Sequence, residues 1–387
     1  MTTAPLSLYL HIPFCARKCP YCDFNTYAGL QALFEPLSLA LAREIMAAGA
    51  ARARPPVHTI FLGGGTPTVL SAAQLARLLD ACAQAFSILP GAEITSEANP
   101  GTVDRPRFAD LVSLGVNRLS MGVQSFDADE LAFLGRIHSA DDAEIAFSSA
   151  RAAGFRNISL DFIFGLPQQQ PATWERTLQR ALALAPEHLS LYSLIVEDET
   201  PLADWVRSGR VPAPDEDLAA DLYEMAQARL AAAGYQQYEI SNWARRHPTG
   251  DNFQSQHNLT YWRNRDYLGF GPGAFSGEQG RRWSNLRSPA EYIRRVNAGQ
   301  PVLDWEEQAT PALARGETMM VGLRLLDEGV NRAAFRTRFG LDVAEAYPDI
   351  VAELRARGLI EVTPDCVRLT PAAVLIGNQV FARFLPG

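Results

Sequence analysis

The sequence of 387 residues has no long apolar run and no excess of basic residues. No stretch approaches the roughly 20 apolar residues that a membrane-spanning helix needs, and the first residues lack the pattern of a secretory signal. Lysine and arginine number 35 against 43 acidic residues, a formal net charge of −8, so the electrostatic footprint of a nucleic-acid-binding protein is missing. With 47% hydrophobic and 20% charged residues, a disordered or fibrous chain is excluded. We therefore expect a globular cytoplasmic protein without a nucleic-acid partner or a membrane span, although peripheral membrane contact stays open.

Cysteine is also scarce, and its placement excludes a disulfide framework. The chain holds five cysteines, an odd number, and Cys15, Cys19 and Cys22 fall within eight residues. Neighbouring thiols in a reducing compartment more often hold a metal or a cluster, and soft sulfur ligands select zinc or iron-sulfur. A closed zinc site needs a fourth donor, for which His11 is the nearest candidate. Three thiolates on a [4Fe-4S] cluster would instead leave one iron open for a small chelating ligand.

Six short apolar runs alternate with segments of helical periodicity and predict an α/β fold with a parallel sheet. The runs cover residues 7–12, 57–62, 93–97, 118–123, 157–164 and 188–194. Helices are predicted between them, over residues 37–51, 71–86, 140–153 and 172–184. Periodicity alone leaves an open doubly wound sheet and an incomplete barrel as alternatives.

The chain after the sixth run divides into two further predicted regions. Residues 241–287 are dense in aromatics, Gly, Asn and Arg without a clear period, which predicts a long structured loop region. Residues 288–387 return to helical periodicity and form a smaller, mainly helical domain. Its residues 354–369 predict a helix, a strand, a turn and a second strand, as in a winged-helix hairpin. With the net charge of −8, we interpret this hairpin as a packing module.

Polar residues stand where the predicted strands end. A run of three glycines and a threonine, residues 63–66, follows the second strand and lets backbone approach a polar ligand closely. Glu97, Gln124 and Asp161 stand in or at the end of later strands, and Arg136 follows in a helix. Each has a simpler possible role, such as a helix cap or an ion pair. Together they favour the barrel, because carboxyl ends of barrel strands converge on one mouth and a charge in an apolar strand is costly unless it is used.

The spacing Cys-x3-Cys-x2-Cys after a first strand resembles the radical S-adenosylmethionine (SAM) superfamily, in which the open iron holds the amino and carboxylate groups of SAM. The resemblance implies a partial (β/α)6 TIM-like barrel as the radical SAM core, over residues 1–240, and a [4Fe-4S] cluster on Cys15, Cys19 and Cys22. The SAM contacts that it implies are Tyr9, Gly64, Gly65, Thr66, Glu97, Gln124, Arg136 and Asp161. Reductive cleavage of SAM is the chemistry such cofactors supply.

Longer segments narrow the resemblance to the oxygen-independent coproporphyrinogen III oxidase family, whose C-terminal HemN-like helical domain would cover residues 288–387. They lie at residues 9–15, 63–67, 122–126 and 161–167. The oxidases proper carry a longer arm before the cysteines and a fourth Cys two residues after the third. Here fourteen residues precede Cys15, and Phe24 occupies the fourth-Cys position. Both differences from the oxidases indicate that this chain does not carry out their oxidative decarboxylation.

The other branch, the HemW-type heme chaperones, has the motif His-Asn-x-x-Tyr-Trp, which appears here within residues 241–287. The resemblance makes its members candidate heme contacts: His257, Asn258, Tyr261 and Trp262. An imidazole can ligate heme iron and aromatic rings can flank a flat macrocycle, although a lone His beside aromatics is more often a hydrogen-bonded loop residue. A His often stands in relatives where this chain has Phe275, so no second axial ligand is expected there.

The function implied is a heme chaperone that binds a [4Fe-4S] cluster and SAM, binds heme as cargo and transfers it to an acceptor protein that the sequence does not identify. The rival is an enzyme, either an oxygen-independent coproporphyrinogen III oxidase or another radical SAM oxidoreductase of porphyrin metabolism. A zinc-stabilised barrel with neither activity is the third alternative.

Overall fold

The computed structural model describes residues 4–246 and 253–386, and these form a 12-stranded sheet and a separate 3-stranded sheet with flanking helices. The strands are β1 Leu6–Ile12, β2 Pro56–Gly64, β3 Ser87–Ala98, β4 Arg118–Gln124, β5 Ile158–Phe164, β6 His188–Ser193, β7 Tyr235–Glu239, β8 Asn242–Arg245, β9 Tyr267–Phe270, β10 Phe275–Glu278, β11 Arg281–Asn285, β12 Leu303–Gln308, β13 Val330–Asn331, β14 Ile360–Val362 and β15 Cys366–Leu369. The α-helices are α1 Phe34–Ala51, α2 Ala72–Ala85, α3 Arg105–Ser113, α4 Ala128–Phe133, α5 Ala140–Ala153, α6 Pro171–Leu184, α7 Pro201–Arg207, α8 Glu216–Ala232, α9 Gln256–Trp262, α10 Pro289–Asn297, α11 Pro311–Gly322, α12 Arg332–Phe339, α13 Val343–Ala346, α14 Pro348–Ala356 and α15 Gly377–Ala382. Within these residues no helix combines the length and the apolar character needed to cross a bilayer.

Strands β1 to β6 lie side by side in chain order and are all parallel, so the predicted α/β fold with a partial six-unit barrel is confirmed. The sheet ends at β12 on one side and at β7 on the other, and it does not close. All six predicted strands are present. Strand β3 begins at Ser87, earlier than predicted, because Pro90 and Gly91 interrupt the apolar pattern of its first half.

Helices α2 to α5 each begin at a residue whose side chain caps the helix, whereas α1 and α6 begin without such a cap. Helix α2 opens on a capping box, in which the Ser71 hydroxyl accepts from the Gln74 backbone and the Gln74 side chain accepts from the Ser71 backbone. Helix α5 ends at Gly154, whose φ of 113° is a conformation that favours glycine. Apolar faces of these helices and of the strands bury a common core that includes Leu8, Phe108 and Trp174.

The segment predicted as a long loop, residues 241–287, contains regular elements in the part that the structure describes. Strand β8 pairs antiparallel with β6, α9 follows, and β9 pairs in parallel with the outer edge of β1. Strands β10, β11 and β12 then extend the sheet as an antiparallel meander. Strands of four or five residues rich in Gly and Arg are too short to show a period, which is why the sequence pattern missed them.

The C-terminal helices bury a second apolar core, which includes Met319, Phe335, Leu354 and Phe384. Strands β14 and β15 form the antiparallel hairpin predicted there, and β13 pairs with the other edge of β15. The mainly helical, winged-helix-like character of this part is thus confirmed. Residues 303–308 were assigned from the sequence to this mainly helical domain, but they form β12 and join the large sheet.

Candidate cluster and cofactor site

The carboxyl ends of the parallel strands surround a cavity of about 390 Å³. All three clustered cysteines line it, and so do six of the eight predicted SAM residues. The six are Gly64, Gly65, Glu97, Gln124, Arg136 and Asp161. Tyr9 lines an adjoining cavity, and Thr66 lies beside the cysteine loop. Residues from five different elements are thereby brought to one mouth, as the barrel interpretation predicts.

Each cysteine sulfur has a polar side chain next to it. The Thr66 hydroxyl donates to Cys15 Sγ at 3.6 Å, and Arg136 Nη1 donates to Cys19 Sγ at the same distance. Cys22 Sγ lies 3.9 Å from the hydroxyl of Thr26. Hydrogen bonds to the sulfurs are one of the means by which a protein tunes an iron-sulfur cluster.

The geometry of the donors fits a cluster better than a single zinc ion. Among residues 4–246 and 253–386, no three His, Cys, Asp or Glu side chains converge closely enough to hold one metal ion. His11, the candidate fourth zinc ligand, has both ring nitrogens engaged, with the Tyr9 hydroxyl at 2.9 Å and the Asn25 carbonyl oxygen at 3.0 Å. Thiolates that each bind a different iron of one cluster need not meet at a point. The residues present therefore fit a [4Fe-4S] cluster.

Glu97 and Gly64 form the part of the cavity nearest to the end of β2. The Gly64 amide donates to Glu97 Oε2 at 3.1 Å. Gly64 has a φ of 100°, and a Cβ there would lie 2.4 Å from the His11 ring, so this position requires glycine. Burial, reinforced by the charge of Asp161, raises the pKa of Glu97 to about 8. Among the described residues this buried carboxyl has no ion-pair partner, which suits a positively charged ligand such as SAM.

Asp161 faces the same cavity from β5. Its carboxylate accepts from the Ser120 hydroxyl at 2.8 Å and from the Ser159 hydroxyl at 2.9 Å. Burial raises the pKa of Asp161, although these hydroxyls and the charge of Arg118 act in the opposite direction. The carboxylate is thus held in a fixed orientation toward the cavity.

Sequence reasoning missed Arg118, which lies on β4 and lines the cavity. Its side chain is only 2% exposed, and its nearest carboxylate is Glu93, at 4.0 Å from Nε. Within the described residues that Nε has no hydrogen-bond partner. Asp161 was selected because it is a charged residue inside an apolar strand. The same criterion applies to Arg118 and would have selected it.

The His-Asn-x-x-Tyr-Trp segment forms α9, and the structure does not bring its four side chains to one surface. His257 is buried: Nδ1 lies 2.8 Å from the Thr59 hydroxyl and Nε2 lies 2.9 Å from the Tyr261 hydroxyl. Burial lowers the pKa of His257 to about 3. Asn258 lines the main cavity and Tyr261 the adjoining one, while Trp262 packs under the guanidinium of Arg324.

Known proteins are similar to this chain over nearly its whole length. The model of the radical SAM superfamily matches residues 9–181, and that of the HemN C-terminal domain matches residues 311–376. The heme chaperone HemW of Bacillus subtilis is 39% identical over 98% of this chain and 99% of its own length. The chain belongs to the HemW family. Another HemW relative, from Escherichia coli, is 43% identical over 98% of both chains.

The HemW family assignment also agrees with a solved structure. The coproporphyrinogen III oxidase HemN from Escherichia coli, a radical SAM enzyme, superposes with a TM-score of 0.84 at 26% identity, over 98% of this chain and 90% of that one. Membership of the radical SAM superfamily implies a [4Fe-4S] cluster and SAM. The individual ligand and contact residues of this HemW family member stay predictions.

Proposed function

We propose that this protein is a cytoplasmic heme chaperone, which holds a [4Fe-4S] cluster and SAM at the barrel mouth, binds heme and passes it to an acceptor protein. The observation that carries the proposal is the full-length similarity to relatives named heme chaperone HemW, at 37–43% identity in three bacteria. The identity of the acceptor is open. Three cysteines within eight residues, in a sequence without a disulfide framework, support a cytoplasmic site of action.

At the mouth, we propose that Cys15, Cys19 and Cys22 hold the cluster. Glu97 would pair with a cationic group of SAM, because its buried carboxyl accepts a hydrogen bond from the Gly64 amide and has no ion pair with any residue that the structure describes. Asp161, oriented by two serine hydroxyls, would accept hydrogen bonds from hydroxyls of the same ligand. The other proposed SAM contacts are Tyr9, Gly64, Gly65, Thr66, Gln124 and Arg136. When bound, the cluster would supply electrons to SAM.

For heme, His257 is the proposed iron ligand of the motif, but its present contacts must first change. Both ring nitrogens are hydrogen-bonded, and the Tyr261 hydroxyl occupies Nε2. Ligation at Nε2 therefore requires Tyr261 to turn away. The cost is one hydrogen bond, of about 0.5–1.5 kcal/mol net, which an iron-imidazole bond can offset.

The test is a titration of purified, cluster-loaded protein with heme under anaerobic conditions, followed by the Soret band. We expect a saturable band in the wild type that changes in position or affinity in His257→Ala. His188→Ala is the matched control, because His188 is also buried with both ring nitrogens engaged, by Ser159 and Tyr238. Absence of a saturable band in the wild type would refute the chaperone function. A band that His257→Ala leaves unchanged would refute only the ligand assignment.

A second candidate function, coproporphyrinogen III oxidation, is favoured by the likeness to HemN. Phe24 argues against it, since this side chain, 60% exposed, stands at the cavity edge in the fourth-Cys position. The discriminating assay incubates reconstituted protein anaerobically with reductant, SAM and coproporphyrinogen III. Formation of protoporphyrinogen would replace the chaperone proposal by the oxidase.

A further inference from the structure

A second cavity, of about 700 Å³, adjoins the cluster site and has aromatic walls. It shares Phe24, Gly64 and Glu97 with the first cavity. Two more of its aromatic side chains are open to solvent: Phe275 is 55% exposed and Trp305 is 43% exposed. Its volume lies within the range of about 300–1,000 Å³ typical of small-molecule and cofactor pockets.

The sheet extension places Phe275 and Trp305 on the same face. Phe275 on β10 is paired with Ser284 on β11, and Ser284 is paired with Trp305 on β12. The two ring centroids lie 6.4 Å apart at an angle of 55°. Tyr261 and Tyr267 line the cavity as well, in an edge-to-face pair with centroids 4.7 Å apart. Exposed aromatic rings from separate elements, collected around one cavity, suit a large flat apolar ligand.

The charges around the cavity add a second requirement for the ligand. Among the described residues, the exposed guanidinium of Arg287 has no ion pair or hydrogen bond, and Arg287 is the one cationic residue that lines the cavity. Asp23 and Asp304 are the exposed acidic residues on its walls. An anionic group on the ligand would therefore be directed toward Arg287 and away from these two carboxylates.

We propose that this aromatic cavity, walled by Phe24, Tyr261, Tyr267, Phe275 and Trp305, receives the heme macrocycle by ring contacts and pairs a propionate with Arg287. The proposal rests on the proposed heme-chaperone function and assigns the surface that holds the cargo. A planar tetrapyrrole with carboxylate side chains meets both requirements, the flat apolar face and the anionic group.

Among the described residues, no histidine with a free ring nitrogen lines this cavity. His11 lines it, but the Tyr9 hydroxyl and the Asn25 carbonyl oxygen occupy its two ring nitrogens. His257 lies behind Tyr261, which contacts it through Nε2. The macrocycle is therefore held here by its rings and carboxylates, before any ligation at His257. Cargo held in this way can be released without breaking an iron-protein bond.

Two substitutions test the aromatic wall. Phe275→Ala and Trp305→Ala should each weaken heme binding by about tenfold, since each removes a stacking partner and apolar contact area. Both side chains are substantially exposed, so the fold should survive, and iron content together with circular dichroism checks this. Ile145→Ala is the matched control, because Ile145 is 63% exposed on α5, away from the cavity. It should leave heme affinity unchanged.

Further measurements with porphyrin ligands and variants distinguish the ring contacts from iron ligation and from the ion pair between Arg287 and a propionate. In His257→Ala, which lacks the proposed iron ligand, metal-free protoporphyrin IX should bind within about threefold of heme, because ring contacts and the carboxylate pair then supply the affinity. Arg287→Gln should weaken heme binding by about tenfold and leave binding of the protoporphyrin dimethyl ester unchanged. In the His257→Ala background, Phe275→His should shift the Soret band of bound heme toward that of histidine-ligated heme, because it would place an imidazole on the wall.

The outcomes distinguish this proposal from the function on which it rests. If the wild type binds heme and Phe275→Ala and Trp305→Ala bind it equally well, the cavity assignment is wrong while the chaperone function stands. An unchanged Soret band in Phe275→His together with absent porphyrin binding would lead to the same conclusion. If the wild type binds neither heme nor protoporphyrin, both proposals fail.

Discussion

Neutralising Glu93 should loosen the helix that carries His257. The Glu93 carboxylate accepts from the backbone amides of Gln256 and His257, each at 3.0 Å, and so caps the first turn of α9. It is also the ion-pair partner of Arg118, which lines the main cavity. Glu93→Gln keeps the shape of the side chain but removes its charge. One carboxylate therefore links the barrel interior to α9.

The expected loss of stability follows from the two contacts. Removing one partner of a buried ion pair costs about 3–5 kcal/mol. Here the lower part of that range applies, because the charge of Asp161 still acts on Arg118 and the Gln oxygen can keep one cap hydrogen bond. The weaker interaction with the helix dipole adds about 0.3–1 kcal/mol. We therefore expect a total of about 3–4 kcal/mol.

The assay is urea unfolding of the wild type and Glu93→Gln, combined with hydrogen exchange of the amides of residues 256–262. Glu306→Gln is the matched control, because Glu306 pairs with Arg281 at 2.6 Å while both side chains are about half exposed. Such a pair contributes about 0–1 kcal/mol. The reasoning is refuted if Glu93→Gln unfolds at the same urea concentration as Glu306→Gln and α9 exchanges no faster than in the wild type.

Three further predictions concern the cluster, the cofactor cavity and the sheet extension. Cys19→Ser should abolish cluster assembly. The control Cys366→Ser should keep full iron and sulfide content. Iron retained by Cys19→Ser would contradict the cluster assignment. Asp161→Asn should weaken SAM binding by about tenfold to a hundredfold in anaerobic calorimetry, because a charged hydrogen-bond acceptor is lost; unchanged affinity would exclude Asp161 as a contact. Burial raises the pKa of Glu44 to about 7. The folded state therefore holds the proton of this carboxyl more tightly than the unfolded chain does. The free energy of unfolding should fall by about 3 kcal/mol as the pH rises from about 4.5 to about 7. Glu97, with a pKa of about 8, contributes a similar fall in both proteins. Urea melts across this range should therefore show a fall that is smaller by about 3 kcal/mol in Glu44→Gln than in the wild type, and parallel curves would refute it.

The barrel could be predicted from the sequence because its strands are short runs with one apolar face, and most of the helices between them begin at a capping side chain. The sheet extension could not, because its short strands β9 to β11 take their place from long-range pairing, such as Tyr267 beside Ser7. A pairing partner so distant along the chain leaves no local period. The apolar pattern of β1 does not reveal which strand will cover its outer edge.

The candidate site was predictable to the extent that its residues follow motifs. The cysteines, glycines and strand-end carboxylates lie together because parallel strands share a mouth. The burial of His257 was not predictable, since only the folded chain places Thr59 and Tyr261 on its two nitrogens. The aromatic cavity was missed for the same reason, because Phe24, Phe275 and Trp305 meet only after β10 and β12 have joined the sheet.

The late arrival of β9 has a consequence for synthesis. Strand β1 can pair with β2 soon after both are synthesised. Its other edge stays unpaired until Tyr267 and Leu268 of β9 have been synthesised. At about 5–20 residues per second, a ribosome needs about 15–50 s to deliver that partner. During this interval an apolar strand edge is open to pairing with another nascent chain. The yield of correctly folded protein should therefore depend on translation speed and on general folding assistance in the cell.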